Sequence, residues 1–227
     1  STLFPYTTLF RSAEQYFLYA GGKKWYTYRH MERDMNPDRR EDLFMSRVYI
    51  FLADGFEDIE GLTVVDLMRR AGIEAVTVSI KETREITTSH GIEMKTDRVF
   101  SETDFSDADM LVLPGGMPGT KYLGEYQPLT ELLTEYYAKG GKVAAICAAP
   151  SVFAKLGFLK NRKATSYPSF MDQLDGAETC EDPVVVDGNV TTSRGLGTAV
   201  PFALSLIAQL MGEEKAQEIA ESIVYRG

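Results

Sequence analysis

Cys147 is the residue whose type and setting most directly offer chemistry. It closes the apolar run Lys142-Val-Ala-Ala-Ile146 and stands before Ala148-Ala149-Pro150, so a buried strand is expected to pass at once into a helix. A side chain on such a turn is pushed out of the sheet, as on a nucleophile elbow, and the small neighbours Ala145, Ala148 and Ala149 permit the crowding. The helix N-terminus beneath it is expected to favour the thiolate and lower the thiol pKa. A thiolate is both the nucleophile and the oxidisable form of cysteine. The alternative is a buried structural cysteine, a common fate for a free thiol.

Glu60 is the second candidate. It lies in the first turns of a helix expected over about Glu57 to Ala71, beside Leu62, Thr63 and Val64, on a stretch that should turn inward. Glu57 and Asp58 suit a solvated helix start. A carboxyl buried beside a thiol would have its pKa raised, would keep its proton, and would serve as general acid and base. Gly115-Gly116, after Pro114, exposes backbone N–H groups where an oxyanion would sit; the alternative is an ordinary tight turn.

Some chemistries are absent. Only His30 and His90 occur, and His90 falls in an expected hairpin away from the strand ends, as a surface residue. A Cys-His hydrolase therefore lacks its base. No ligand cluster with metal spacing is visible, and neither a phosphate loop nor a dinucleotide glycine motif follows the first strand, so no metal and no cofactor are expected. Gly195-Leu196-Gly197 is too short and misplaced for such a motif.

The elements that must position these residues alternate. Strands are expected over Arg47–Ala53, Glu74–Ile80, Asp109–Leu113, Lys142–Ile146 and Lys163–Tyr167, and in a hairpin of Pro183–Val186 with Val190–Ser193. Helices are expected over Glu57–Ala71, capped by Gly72, and over Gly119–Lys139, Ala149–Leu156 and Gly197–Met211, followed by a short one. Ile59, Leu62, Val65, Leu67 and Met68 are read as the apolar face of the first helix. A small hairpin is expected within residues 84–97. The pattern implies right-handed βαβ units: an α/β, doubly wound, flavodoxin-like, mostly parallel sheet with helices on both faces. Ligands bind beyond the carboxyl ends of such strands, so the turns at Asp54–Glu60, Pro114–Gly116 and Cys147–Pro150 should meet.

Composition agrees with one domain carrying an appendage. Of 227 residues, 44% are hydrophobic, and the net charge of -9 excludes nucleic acid as the main partner. Two cysteines, Cys147 and Cys180, suggest a reducing cytoplasm rather than a disulfide scaffold; Cys180 is expected to be structural or at the surface. No apolar run is long enough to span a bilayer, so no membrane partner is expected. Composition changes near Met45. Residues 1–44 are aromatic-rich, without sustained periodicity, and open with STLFPYTTLFRS, which resembles translated adapter sequence. They are expected to be a non-native or disordered extension to a domain over 45–227; the alternative is a genuine extension that packs on the domain or a partner.

The stretches Leu52–Glu60, Val65–Ile73, Val112–Gly116, Ala144–Pro150 and Thr192–Thr198 resemble the DJ-1/PfpI superfamily, in its DJ-1 and bacterial ThiJ/YajL-like branch, and follow family order over nearly all of the chain after Met45. The resemblance implies Cys147 as the oxidation-sensitive nucleophile, Glu60 as the protonated glutamate bonded to it, and Gly115, Gly116 and Ala148 as backbone donors. It also implies a homodimer, with Arg70 and His90 near the interface. Two residues depart from other branches. Ala148 stands where Cys-His branches carry histidine, and Tyr167, before Pro168, stands where a further histidine occurs, leaving proton transfer to Glu60, with the Tyr167 hydroxyl as its expected aid. The implied activity is glutathione-independent conversion of methylglyoxal and related reactive aldehydes (glyoxalase or deglycase). The alternative is an oxidative-stress redox sensor or chaperone acting through Cys147.

Overall fold

A computed structural model describes residues 8–12, 15–19, 25–27 and 46–226. The chain divides into two units, Ser1–Met45 and Ser46–Gly227. In the first, β1 (Thr8–Ser12), β2 (Gln15–Tyr19) and β3 (Trp25–Thr27) form an antiparallel sheet. The sequence reading assigned no element there; short runs rich in aromatic residues and threonine have high strand propensity without needing a long period. The expectation of a foreign or disordered extension falls mostly on residues outside the described ones.

The second unit is built on a seven-stranded sheet. Its strands are β4 (Arg47–Leu52), β5 (Glu74–Ser79), β8 (Arg98–Val99), β9 (Met110–Leu113), β10 (Lys142–Ile146), β13 (Val184–Asp187) and β14 (Val190–Ser193). They lie in the order β13-β14-β10-β9-β4-β5-β8, all parallel except the edge strand β13. The chain winds outward from β4 to β5 and later returns to β9 on the other side. The carboxyl ends of β4 and β9 therefore flank a topological switch point, where such sheets open a crevice.

Alternation along the strands makes two cores. Val48, Ile50 and Leu52 face one layer with Phe56, Met68, Phe202 and Leu206, while Tyr49 and Phe51 face the other with Leu123, Leu133 and Phe153. The first layer holds α1 (Asp58–Ala71), α5 (Ala199–Met211) and α6 (Glu213–Ser222); the second holds α2 (Gly119–Glu125), α3 (Gln127–Ala138) and α4 (Pro150–Lys155).

Helix α1 matters most to the site. The Glu57 carboxylate caps it by accepting the Glu60 N–H at 2.8 Å, acidic residues fill the first turn and Arg69 and Arg70 the last, and Gly72 ends it with φ 86°. Val64, Leu67 and Met68 face the core, but Ile59, read as part of that face, is 47% exposed.

Three expectations change in detail. The helix over Gly119–Lys139 is two helices, because Pro128 has no N–H for the Gly124 carbonyl and Tyr126 is extended between them. The strand over Lys163–Tyr167 keeps only β11 (Lys163–Ala164), paired parallel with β12 (Glu178–Thr179); beyond it the chain turns to the site, where the Tyr167 N–H donates to the Cys147 carbonyl. Strand β8 is too short to show a pattern in sequence. The expected hairpin is present as β6 (Glu85–Thr87) and β7 (Glu93–Lys95).

Candidate active site

Cys147 leaves β10 with φ 65°, a left-handed backbone that costs a non-glycine residue about 1–3 kcal/mol unless its surroundings hold it. They do so on both sides: the Cys147 N–H donates to the Ser193 carbonyl at 3.0 Å, and its carbonyl accepts the Tyr167 N–H at 2.9 Å. The thiol is thereby lifted from the sheet. The backbone N–H groups of Gly116 and Ala148 face its sulfur.

Glu60 comes to the thiol from the first turn of α1. It is 1% exposed, its Oε2 accepts the Gly115 N–H at 3.0 Å, and its carboxyl is hydrogen-bonded with the Cys147 thiol and faced by the Leu196 N–H. Burial, then the nearby Glu57 charge, pushes the Glu60 carboxyl up to about 7, against the hydrogen bonds that favour its ionised form. Burial also pushes the Cys147 thiol up, to about 12, reinforced by the Glu60 charge and the hydrogen bond to it. The two groups therefore hold a proton between them.

This corrects the expectation of a thiol lowered by the helix N-terminus. Helix α4 is only six residues long, and the partly exposed thiol lies against the buried Glu60 carboxyl. Burial and the Glu60 carboxyl outweigh the two N–H groups that favour the thiolate.

Glycines make the close approach possible. A Cβ on Gly115 would stand 2.5 Å from Glu60 Oε2, and one on Gly116 (φ 91°) would stand 2.3 Å from the Glu57 nitrogen. Of the three expected backbone donors, Gly115 gives its N–H to Glu60, leaving those of Gly116 and Ala148 on the sulfur. The Tyr167 ring is 49% exposed at the mouth of the site.

Two features were missed in sequence. A fourth turn, after β14, joins the three expected: Leu196 reaches Glu60 through its backbone, and Gly195 packs close to the thiol, where a Cβ would stand 3.9 Å from Cys147 Sγ. The signal was its place after a strand end. His90, read as remote, belongs to a hairpin bonded to the loop before α1, through Gly55 N–H to the Thr87 carbonyl (2.7 Å) and Ser89 N–H to the Phe56 carbonyl (2.8 Å). His90 Nδ1 lies 2.7 Å from the Asp58 carboxylate, and with Glu57 these residues place possible ligand atoms within 4.8 Å of one another. The sequence distance between helix and hairpin hid this group. Asp58 also accepts Thr88 Oγ1 and Ser89 Oγ, so its carboxylate is saturated by the hairpin it holds.

A thiol on a strained elbow above a flavodoxin-like sheet, sharing a proton with a buried glutamate, defines a class of cysteine-centred α/β proteins. The DJ-1/PfpI family profile matches residues 46–209, and the chain belongs to that family. It is 37% identical over 182 residues to Protein DJ-1 homolog B of Arabidopsis thaliana, covering 79% of this chain and 42% of that protein; the chain thus spans less than half of that relative's length. It is 30% identical over 188 residues to the protein named Glutathione-independent glyoxalase DJ-1 of Schizosaccharomyces pombe, covering 79% of this chain and 98% of that one. Among solved structures, oxidized Toxoplasma gondii DJ-1 superposes with a TM-score of 0.77 at 36% identity, over 80% of this chain and all of the other. Among the described residues, no helix is long and apolar enough to cross a membrane.

Proposed function

We propose that the protein is a glutathione-independent glyoxalase, with deglycase activity through the same first adduct, acting on methylglyoxal and related α-dicarbonyls. The observation that carries this reading is the Glu60 carboxyl, pushed up to about 7 and hydrogen-bonded to the Cys147 thiol. A group titrating near neutrality serves as base and acid in turn. The name of the fission-yeast relative supports the same activity.

Glu60 takes the thiol proton as sulfur bonds to the aldehyde carbon and the carbonyl π electrons move to oxygen, then returns that proton to the oxygen, giving a hemithioacetal and an ionised Glu60. The N–H groups of Gly116 and Ala148 stabilise the oxygen as it gains charge. Glu60 then relays the proton of the aldehyde carbon to the neighbouring carbon while the hydroxyl proton of the first carbon passes to the ketone oxygen, so the first carbon is oxidised to a thioester and the second is reduced to an alcohol. Water cleaves the thioester, freeing the thiol and releasing lactate. The sum is methylglyoxal plus water to lactate, with no outside oxidant. The Tyr167 hydroxyl, at the mouth, aids substrate binding. The test is lactate formation without glutathione: turnover in the parent and its loss in both Cys147→Ala and Glu60→Gln support the reading, and a folded parent without turnover refutes it.

A redox-sensing role is favoured by one further observation, the oxidized state named for the Toxoplasma relative. In that reading peroxide takes Cys147 to a sulfinate held by Glu60 and the surrounding N–H groups. Peptide mass spectrometry after peroxide treatment tests it. For assembly, we propose a homodimer through α1 and the β6–β7 hairpin, whose Ile59 and Ile92 are 47% and 53% exposed.

A further inference from the structure

We propose that, on the glyoxalase reading, the site selects 2-oxoaldehydes bearing an apolar chain, and that Met117, Tyr167 and Leu196 are the side chains that select them. A point one Cβ-length from Gly195 lies 3.9 Å from Cys147 Sγ, 3.6 Å from Glu60 Oε1 and 3.3 Å from Tyr167 Cδ2. Gly195 carries no side chain there, and the point lies at van der Waals distance from all three, so thiol, carboxyl and ring edge draw together beside the bare Gly195 backbone.

Three large apolar residues whose backbones adjoin these groups are exposed. Tyr167 is 49%, Met117 51% and Leu196 53% exposed, three of the eight large hydrophobic residues so exposed among the described ones. Each is tied to the reacting groups by backbone: Met117 follows Gly116, whose N–H faces the sulfur; the Leu196 N–H faces Glu60; the Tyr167 N–H donates to the Cys147 carbonyl. Scattered surface apolar residues need no explanation, but three whose backbones adjoin one thiol–carboxyl pair do.

The cation next to Gly195 in the chain is engaged elsewhere. The Arg194 guanidinium, next to Gly195, binds the Glu181 carbonyl at 3.0 Å and its carboxylate at 3.3 Å. No fork is thus presented to a substrate carboxylate. A neutral dicarbonyl whose R group lies along Met117, Tyr167 and Leu196 fits these surroundings; an anionic 2-oxo acid does not.

The experiment follows kcat/KM along methylglyoxal, 2-oxobutanal and 2-oxohexanal. Full burial of a methylene corresponds to about fourfold, and a half-exposed rim should return roughly twofold per methylene. The parent should show that rise, and Tyr167→Ser with Leu196→Ser should flatten it, whereas Val186→Ser, on the sheet edge, should keep it. Comparing slopes removes the intrinsic reactivity of each aldehyde. A second readout needs no turnover: the rate of Cys147 alkylation by N-ethyl- and N-hexylmaleimide, followed by intact mass in a Cys180→Ser background. If no aldehyde is turned over but the hexyl reagent is favoured and the rim variant abolishes that preference, the glyoxalase reading fails and the rim assignment stands. If neither series responds to chain length in the parent, or if the rim variant keeps the response, the assignment is overturned.

Discussion

Cys147 and Glu60 meet across the bare backbone of Gly115, where a single Cβ would stand 2.5 Å from the Cys147 Cβ and 2.5 Å from Glu60 Oε2. Neither neighbour has room to retreat: Cys147 is fixed by backbone bonds to Ser193 and Tyr167, and Glu60 is buried against the Gly115 N–H. Gly115→Ala should cost about 1–3 kcal/mol, the usual penalty of overpacking, and should break the carboxyl–thiol contact. Thermal unfolding checks the first effect and the maleimide alkylation rate of Cys147 the second. A variant with unchanged Tm and thiol kinetics would mean that the pair does not depend on this approach.

Asp58 joins the hairpin to the helix that carries Glu60. Its buried carboxylate accepts Thr88 Oγ1 at 2.5 Å and Ser89 Oγ at 3.2 Å, and lies against His90. Those hydrogen bonds hold its pKa below the usual carboxylate value despite burial. Asp58→Ala leaves the Thr88 hydroxyl without its acceptor and should destabilise the protein by about 1–3 kcal/mol. Hydrogen exchange should rise first over residues 84–97, with β9 and β10 little changed; a uniform rise would argue that the hairpin is not separately tethered.

Much of this architecture was legible because its signals are local. Val48, Ile50 and Leu52 alternate with Tyr49 and Phe51, and Glu57, Arg69, Arg70 and Gly72 mark both ends of α1. The meeting of Cys147 and Glu60 was legible from topology, since both leave carboxyl ends of strands near the switch point. What escaped depends on distance in the chain. The bonds from residues 87–90 to Gly55, Phe56 and Asp58 cannot be read from a hairpin alone, and the thiol's environment depends on burial that no local pattern reports. Gly195 and Leu196 were weighed against a dinucleotide motif, and failing it hid their place over the thiol.

Exposed apolar residues on α1 and the hairpin set up the assembly prediction. Ile59 and Ile92 are on the two elements that Asp58 joins, and His90 is exposed beside them. Burying them in a twofold contact would remove apolar surface from water at about 25 cal/mol per Å². Ile59→Asp would place a charge in that contact, and sedimentation or light scattering should show a dimeric parent and a monomeric variant. A parent that is monomeric at micromolar concentration would refute the assembly.

Glu60 gives the prediction with the clearest sign. Its ordinary value is 4.5 and its folded value about 7, with burial as the main cause. Below pH 4.5 both folded and unfolded chains keep the proton. Between 4.5 and 7 the unfolded chain releases it first, so stability falls as pH rises; above 7 the full penalty applies, on the order of 3 kcal/mol. Asp58 and Asp97, whose values are lowered, act in the opposite sense and only at more acid pH. Glu60→Gln keeps an oxygen for the Gly115 N–H but cannot ionise, so its Tm relative to the parent should climb from pH 5 to pH 8. The same group governs reactivity with opposite sense. The parent's Cys147 should gain reactivity through about pH 7, as Glu60 becomes able to take the thiol proton, and the variant should lack that limb. If stability and thiol reactivity show no common transition in the parent, Glu60 is not the base.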